Sequence, residues 1–251
     1  MTSLSRNAYV SLARRVRSLA ERLTLLDRLE AADSRWLRHA RTLFAIHDVD
    51  DLAALDLPWW VYGAIDRVDR FLHDRDGKAK VFEYGSGAST IWLARRAGEI
   101  HSVEHHPGFA ELMAGKVADL PQVSLQHVPA RQVASGQPVT PSRRFGHQGL
   151  DFTDYVHAID AVDGDFDLIV VDGRAREECL RRSVSRLARD GVVLFDNSNR
   201  RRYREALRSS GLSLERIRGA APCLPYPAET ALLTPPGTVA APDLGQTRPP
   251  R

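Results

Sequence analysis

Val81-Phe82-Glu83-Tyr84-Gly85-Ser86-Gly87-Ala88-Ser89-Thr90 is the stretch that decides the fold. It reads as an apolar strand that runs into a glycine turn and opens a helix through Ile91, Trp92, Leu93 and Ala94. A second apolar run, Ile100-His101-Ser102-Val103-Glu104, then closes on an acid. Gly85 and Gly87 permit positive φ and a close approach of ligand to backbone. The helix start offers free N–H groups to a carboxylate or phosphate. An acid about 20 residues beyond the turn stands where a ribose diol is gripped. The unit predicts a site for a ligand that contains a nucleoside.

Outward from this unit, strand and helix patterns alternate. Strands are expected at 80–84, 100–104, 123–127, 167–171 and 191–195, and helices at 89–97, 107–119, 152–162, 174–189 and 201–209. Alternation of this kind predicts an α/β chain with a doubly wound, mostly parallel sheet. The end of the pattern differs. Two strand-like runs, 212–217 and 229–233, are separated by Pro222, Pro225 and Pro227, which forbid an intervening helix. Two strands joined by a loop should run antiparallel.

Residues 4–45 read as a helix, with Leu12, Val16, Leu19, Leu23, Leu26 and Leu29 at three- and four-residue steps. Packing, or homodimer formation through this helix, is its expected use. Asp50-Asp51 begins a short helix, and Leu57-Pro58 begins another that holds Trp59, Trp60, Tyr62, Ile65 and Phe71 and ends at Asp76-Gly77. The expected organisation is therefore an N-terminal helical extension over 1–78, a main domain over 79–235 and a disordered tail over 236–251, rich in Pro, Gly, Thr and Ala. Residues 129–152 form the longest irregular stretch and carry Arg131, Arg143, Arg144 and His147. They read as a lid or substrate loop, with a plain solvent loop as the alternative.

Composition narrows the partners. At 251 residues, 43% hydrophobic and 27% charged, the chain resembles an ordinary globular protein, and its net charge of +3 is modest. The cluster Arg200-Arg201-Arg202 with Arg204 lacks the interleaved aromatics of a single-strand binding surface. It reads as a solvated face or as a contact for an anionic or sugar-phosphate substrate, and no nucleic-acid partner is expected. Cys179 and Cys223 have no metal-ligand spacing and predict no disulfide framework. No apolar run approaches the roughly 20 residues that span a bilayer. Arg14, Arg15 and Arg17 interrupt the N-terminal apolar residues, so a cytoplasmic address without membrane insertion is expected.

Ligands of doubly wound sheets bind beyond the C-terminal strand ends. Those ends are Glu83-Tyr84-Gly85, Glu104-His105, His127-Val128, Asp172-Gly173 and Asp196-Asn197. A buried strand-end acid needs a partner, which here means ligand hydroxyls, an ammonium group or a metal ion. Thr90 stands where a dinucleotide fingerprint has its third glycine, and Glu83 would repel a diphosphate but welcome an ammonium. A zwitterion attached to a nucleoside fits better than a dinucleotide.

Over about residues 80–234 the chain resembles the class I S-adenosylmethionine-dependent methyltransferases. The resemblance rests on Val81–Gly87, on Ser102-Val103-Glu104, on Phe166–Asp172 and on Gly191–Asn197. It implies a Rossmann-like, seven-stranded sheet with an antiparallel last strand, and S-adenosylmethionine as cofactor. The cofactor-binding residues it implies are Glu83, Gly85, Ser86, Gly87, Ser89, Glu104, His105 and Asp172. Gly85, Ser86 and Gly87 would wrap the methionine portion, Ser89 would lie near its carboxylate, Glu104 would take the ribose hydroxyls and His105 would lie beside the adenosine.

Asp172, Asp196 and Asn197 are similar to the Asp…Asp-Asn set of the metal-dependent catechol and caffeoyl-coenzyme A O-methyltransferases. That likeness implies a divalent cation, Mg²⁺ (or Mn²⁺ or Ca²⁺), on three hard oxygens. The chain departs from that set where a lysine is due, since Gly173-Arg174-Ala175-Arg176 follows the first aspartate and arginine stays protonated. Asp172 and His147 are left as candidate catalytic bases. The segments around Asp172 and Asp196 also resemble uncharacterised bacterial methyltransferases of glycan and secondary-metabolite pathways, where Trp59-Trp60 would form a stacking wall or sit in the core. The expected activity is O-methylation of a small-molecule or glycan hydroxyl. The alternatives are a catalytically inactive, methyltransferase-like binding or dimerisation protein and an NAD(P)-dependent oxidoreductase.

Overall fold

The computed structural model describes residues 34–45, 49–134, 136–143 and 146–237, together with Thr24, Leu26 and Leu29. Three helices precede the sheet: α1 (Arg35–Thr42), α2 (Val49–Ala54) and α3 (Tyr62–His73). The alternation then runs β1 (Lys80–Tyr84), α4 (Ala88–Ala94), β2 (Glu99–Glu104), α5 (Pro107–Val117) and β3 (Val123–His127). A small antiparallel ribbon, β4 (Arg131–Gln132) with β5 (Leu150–Asp151), leads into α6 (Thr153–His157). The chain continues through β6 (Phe166–Val171), α7 (Arg176–Val184), β7 (Leu187–Asp196), α8 (Arg204–Ser209), β8 (Ser213–Gly219) and β9 (Ala228–Thr234).

Seven strands make one sheet in the order β3-β2-β1-β6-β7-β9-β8. The first five are parallel, and β9 lies antiparallel to both β7 and β8. This is the Rossmann-like arrangement expected from the sequence. Strand order reverses at β1, between β2 and β6, which places the topological switch point at the glycine turn.

Side chains on a strand alternate between faces, and the two faces carry different cores. Phe82 and Tyr84 point into one with Tyr155, Phe152, Val171 and Phe195; Val81 points into the other with Trp60, Trp92, Leu168, Val170 and Leu194. Ile65, Val68 and Leu72 of α3 belong to that second core. The helix that the sequence reading put in an N-terminal extension therefore packs directly on the sheet. Trp60 is fully buried and meets Trp92 edge to face at 5.7 Å, which is a core contact and not a stacking wall.

Several boundaries move for physical reasons. The helix expected from Leu57 starts only at Tyr62, after Val61 in extended conformation. The helix expected over 174–189 ends at Val184, because Leu187 pairs with Phe166 and draws the next residues into β7. Of the helix expected over 4–45, the described helix is Arg35–Thr42; most of the rest, and with it the expected homodimer contact, lies outside the described residues. The tail beyond Gly237 lies outside them as well. Both cysteines are free and buried. Among the described residues, no helix is long and apolar enough to cross a membrane.

Candidate functional site

The glycine turn joins β1 to α4, and its two glycines do different things. Gly85 has φ +99, and a Cβ there would lie 2.7 Å from the Gly173 Cα, so the turns after β1 and β6 touch backbone to backbone. Gly173 is equally confined: its Cβ would meet the Tyr155 hydroxyl at 1.9 Å. Gly87 is extended (φ 170), and a Cβ there would meet nothing within 4 Å. The turn is thus closed on the Gly85 side and open on the Gly87 side. Between them the Ser86 Oγ is buried without a hydrogen-bond partner among the described residues. A buried hydroxyl left unpaired costs about 1–3 kcal/mol, which a ligand's polar group would relieve.

Glu83 is fully buried. It shares the face of Val81, beneath α4, and its carboxylate holds the start of that helix in place. Ser89 Oγ donates to Oε1 at 2.5 Å, and Thr90 Oγ1 and Ser102 Oγ donate to Oε2 at 2.6 and 2.7 Å. Thr90 Oγ1 in turn accepts the Gly87 N–H at 2.9 Å. Strand alternation thus turns Glu83 away from the open side of the turn, where the sequence reading put it as a ligand contact. The Ser89 hydroxyl is also committed, to Glu83. Thr90 and Ser102 are members of this network that sequence reasoning missed, although Ser102 stands opposite Glu83 in the β1–β2 register.

Burial, aided by the charge of Asp172 and opposed by the three hydroxyls, pushes the Glu83 carboxyl up to about 7. The folded state therefore keeps a proton that the unfolded chain releases near ~4.3, and the stability from this group falls as pH rises through that window. Scanning calorimetry between pH 5 and 8 should show the melting temperature falling with pH less steeply in Glu83→Gln than in the wild type. Equal slopes would remove this assignment.

Glu104 closes β2 and is 4% exposed. Its Oε1 accepts the backbone N–H groups of His105 and His106, both at 2.8 Å, and lies 2.7 Å from the His105 Nδ1. Burial works to raise its carboxyl, but the His105 side chain and those two N–H groups outweigh it and hold it below the ordinary value. Glu104 is therefore an ionised acceptor fixed by one oxygen. The His105 ring packs against Phe152 at 5.8 Å, Tyr155 at 6.1 Å and His147 at 5.7 Å. The stretch expected to be an irregular loop thus contains the ribbon β4–β5 and brings His147 to the Glu104 side of the site. His106 has a structural use, since its ring nitrogen accepts the Phe109 N–H at the start of α5.

At the other end of the site, Asp172 and Asp196 face a buried guanidinium. Arg176, 7% exposed, donates to the Asp172 carboxylate and carbonyl and to the Asp196 carbonyl, each at 2.5 Å, and to the Gly173 carbonyl at 3.1 Å. Its Nη1 also lies 3.7 Å from the Asp196 Oδ2. Thr230 donates to the Asp196 Oδ1 at 2.9 Å, and the Asn197 amide donates to Oδ2. Burial first, then the neighbouring Asp172 charge, raise the Asp196 carboxyl above the ordinary range, with Arg176 pulling the other way.

The trio expected to hold a divalent cation has an arginine among its oxygens in this arrangement. A permanent cation, Arg176, already sits between Asp172 and Asp196, and Asn197 spends its amide on Asp196. A metal ion there would have to displace a guanidinium that makes four hydrogen bonds at these distances. Among the described residues, no group of three or more His, Cys, Asp or Glu side chains could hold a metal ion. Arg176 was missed because its partners come from the ends of two strands. The available signal was its placement four residues after Asp172 on the helix-forming side.

The strand order, with its antiparallel last strand, is that of the Rossmann-like methyltransferase fold, and the glycine turn and the acid ending β2 lie at its switch point. Residues 82–198 match the family model described as a methyltransferase domain. No curated protein sequence matches the chain significantly. Among solved structures, the chain is similar to a methyltransferase-like protein from Silicibacter pomeroyi, with 24% identity, 68% of this chain and 89% of that one covered, and a TM-score of 0.44. A TehB-like S-adenosylmethionine-dependent methyltransferase from Corynebacterium glutamicum shares 18% identity over 78% of this chain and 98% of its own, with a TM-score of 0.44. A precorrin-6y C5,15-methyltransferase from Geobacter metallireducens shares 14% identity over 66% and 86%, with a TM-score of 0.43.

Proposed function

We propose that the chain O-methylates a hydroxyl of a small molecule or glycan, with Arg176 rather than a metal ion holding the acid at the acceptor side. The observation that carries the cofactor half is the opening at Ser86 and Gly87 beside the ionised Glu104. The residues present fit S-adenosylmethionine: Ser86 Oγ is a buried hydroxyl in need of a partner, Gly87 leaves the space a ligand needs, and Glu104 is an acceptor for ribose hydroxyls. Bound there, the cofactor would supply an electrophilic methyl group on its sulfonium sulfur.

The chain's own contribution is then placement and proton acceptance. Gly85 against Gly173 fixes the floor of the crevice, and Glu83 fixes α4 above it through Ser89 and Thr90. Asp172, whose side chain is 23% exposed, is the carboxylate at the rim. It is our candidate for accepting the proton of an acceptor hydroxyl, with Arg176 holding it in one orientation. His147, over on the Glu104–His105 side, is left as part of the wall on the nucleoside half. Catalysis of this kind comes mainly from proximity and orientation.

Transfer of labelled methyl from S-adenosylmethionine to hydroxyl-bearing acceptors tests this reading. Turnover is expected to be the same in EDTA and in Mg²⁺. Activity that vanishes with the chelator and returns with Mg²⁺ would overturn the role given to Arg176. Transfer to nitrogen or sulfur acceptors in preference to hydroxyls would overturn the O-methylation.

A further inference from the structure

A pocket of about 120 Å³ opens beside Asp172, between the turn after β6, the turn after β7 and the strand-ribbon loop. Among the described residues, its wall is rich in guanidinium groups: Arg143, Arg174, Arg176, Arg200 and Arg202, against a single carboxylate, Glu177. Arg176 is matched by Asp172 and Asp196. The charges of Arg143, Arg200 and Arg202 are not matched in the same way. Arg143 approaches Glu177 only to 3.6 Å and is 64% exposed. Arg200 donates to the Asn197 side-chain carbonyl, and Arg202 to the Tyr203 hydroxyl at 2.9 Å, both neutral acceptors.

The backbone is bent to build this wall. Ala175 and Asn197 both have left-handed φ, +46 and +53, a conformation that costs Ala of order 1–2 kcal/mol and that Asn adopts more readily. Those two residues flank Arg176 and Asp196, and the strained turns bring Arg174 and Arg200 to the same pocket. Planar guanidinium forks match the oxygens of a carboxylate or phosphate. Among the described residues, the only ring in the wall, Tyr203, is buried and packed edge to face on Phe195, and so presents no open face for stacking bases.

We propose that this pocket binds an oxyanion, phosphate or carboxylate, carried by the methyl acceptor. The acceptor would then be an anionic hydroxyl compound, anchored by Arg143, Arg200 and Arg202 so that its hydroxyl reaches the Asp172 rim. The inference rests on the methyltransferase reading above and deepens it. A small anion is favoured over nucleic acid because the cations line one compact pocket rather than a stripe that tracks a backbone.

Calorimetric titration of the full chain with sodium phosphate and, separately, with sodium succinate tests it, with sodium chloride at matched ionic strength as control. At least one of the two anions should bind the wild type, and at least tenfold more weakly the Arg143→Gln/Arg200→Gln variant. Which anion binds assigns the group. Arg143→Gln alone, on an exposed side chain, should show a smaller loss and guards against misfolding of the double variant. No binding by either anion, or binding indifferent to both variants, would overturn the proposal. A mixed-sequence oligonucleotide that binds at these arginines more tightly than phosphate would overturn its small-molecule form. S-adenosylhomocysteine is titrated into the same samples. Its binding without anion binding removes the pocket and leaves the methyltransferase, whereas its failure in the wild type removes the reading beneath both.

Discussion

Arg176→Ala is expected to destabilise the protein by about 3–5 kcal/mol, the cost of removing one partner from a buried ion pair. Among the described residues the guanidinium is the only group that answers both Asp172 and Asp196, and it also ties down the carbonyls of Asp172, Gly173 and Asp196. Without it, two carboxylates and three backbone oxygens at the ends of β6 and β7 lose their shared donor. Against a typical total stability of roughly 5–15 kcal/mol, that loss is large. Urea unfolding at pH 8 and at pH 5 measures it. The deficit should be smaller at pH 5, because the Asp196 carboxyl, already raised, takes a proton more readily once the opposing cation is gone. Arg176→Lys keeps the charge but lacks the planar fork, and should fall between the two. A loss below about 1 kcal/mol for Arg176→Ala would contradict this account, since that is the ordinary range of an exposed pair.

The second large effect separates the two glycines of the turn. Gly85→Ala should cost on the order of 3 kcal/mol, because it combines a left-handed backbone with a contact of 2.7 Å to the Gly173 backbone. Gly87→Ala should leave stability within about 0.5 kcal/mol, as substitutions away from packed features do, since its backbone is extended and its Cβ meets nothing. The same methyl group would project into the crevice, so cofactor affinity should fall by about tenfold or more. Thermal unfolding and calorimetry on both variants read the difference. If Gly87→Ala lost stability and kept full affinity, the open side of the turn would be misplaced.

How far the sequence alone carried the fold is clearest at β1. The apolar run, the two glycines and the acid at 104 could be read directly, because strand period and turn chemistry are local. The same period carried one residue further would have placed Glu83 correctly. Val81 and Glu83 share a face, and that face is covered by α4, so the carboxylate belongs under the helix with Ser89, Thr90 and Ser102. Boundaries failed where tertiary pairing overrides propensity, as at Leu187–Arg189, which read as helix but complete β7 beside Phe166. The candidate site failed at Arg176 for a different reason. Its position is set by a left-handed residue, Ala175, and by two strand ends 24 residues apart. No single window of sequence contains that geometry. An Asp…Asp-Asn pattern is the same string whether a metal ion or an arginine stands among its oxygens.

His147 and the ribbon around it illustrate the remaining gap. The sequence marked 129–152 as a lid, a substrate loop or a plain solvent loop, and only the fold shows that His147 lies on His105 and so on the Glu104 half of the site.

The most direct test of the central claim is calorimetric titration of the wild-type chain with S-adenosylhomocysteine. One ligand per chain should bind, and more weakly in Gly87→Ala at unchanged melting temperature. A wild-type chain that is folded and takes up no S-adenosylhomocysteine would contradict the account.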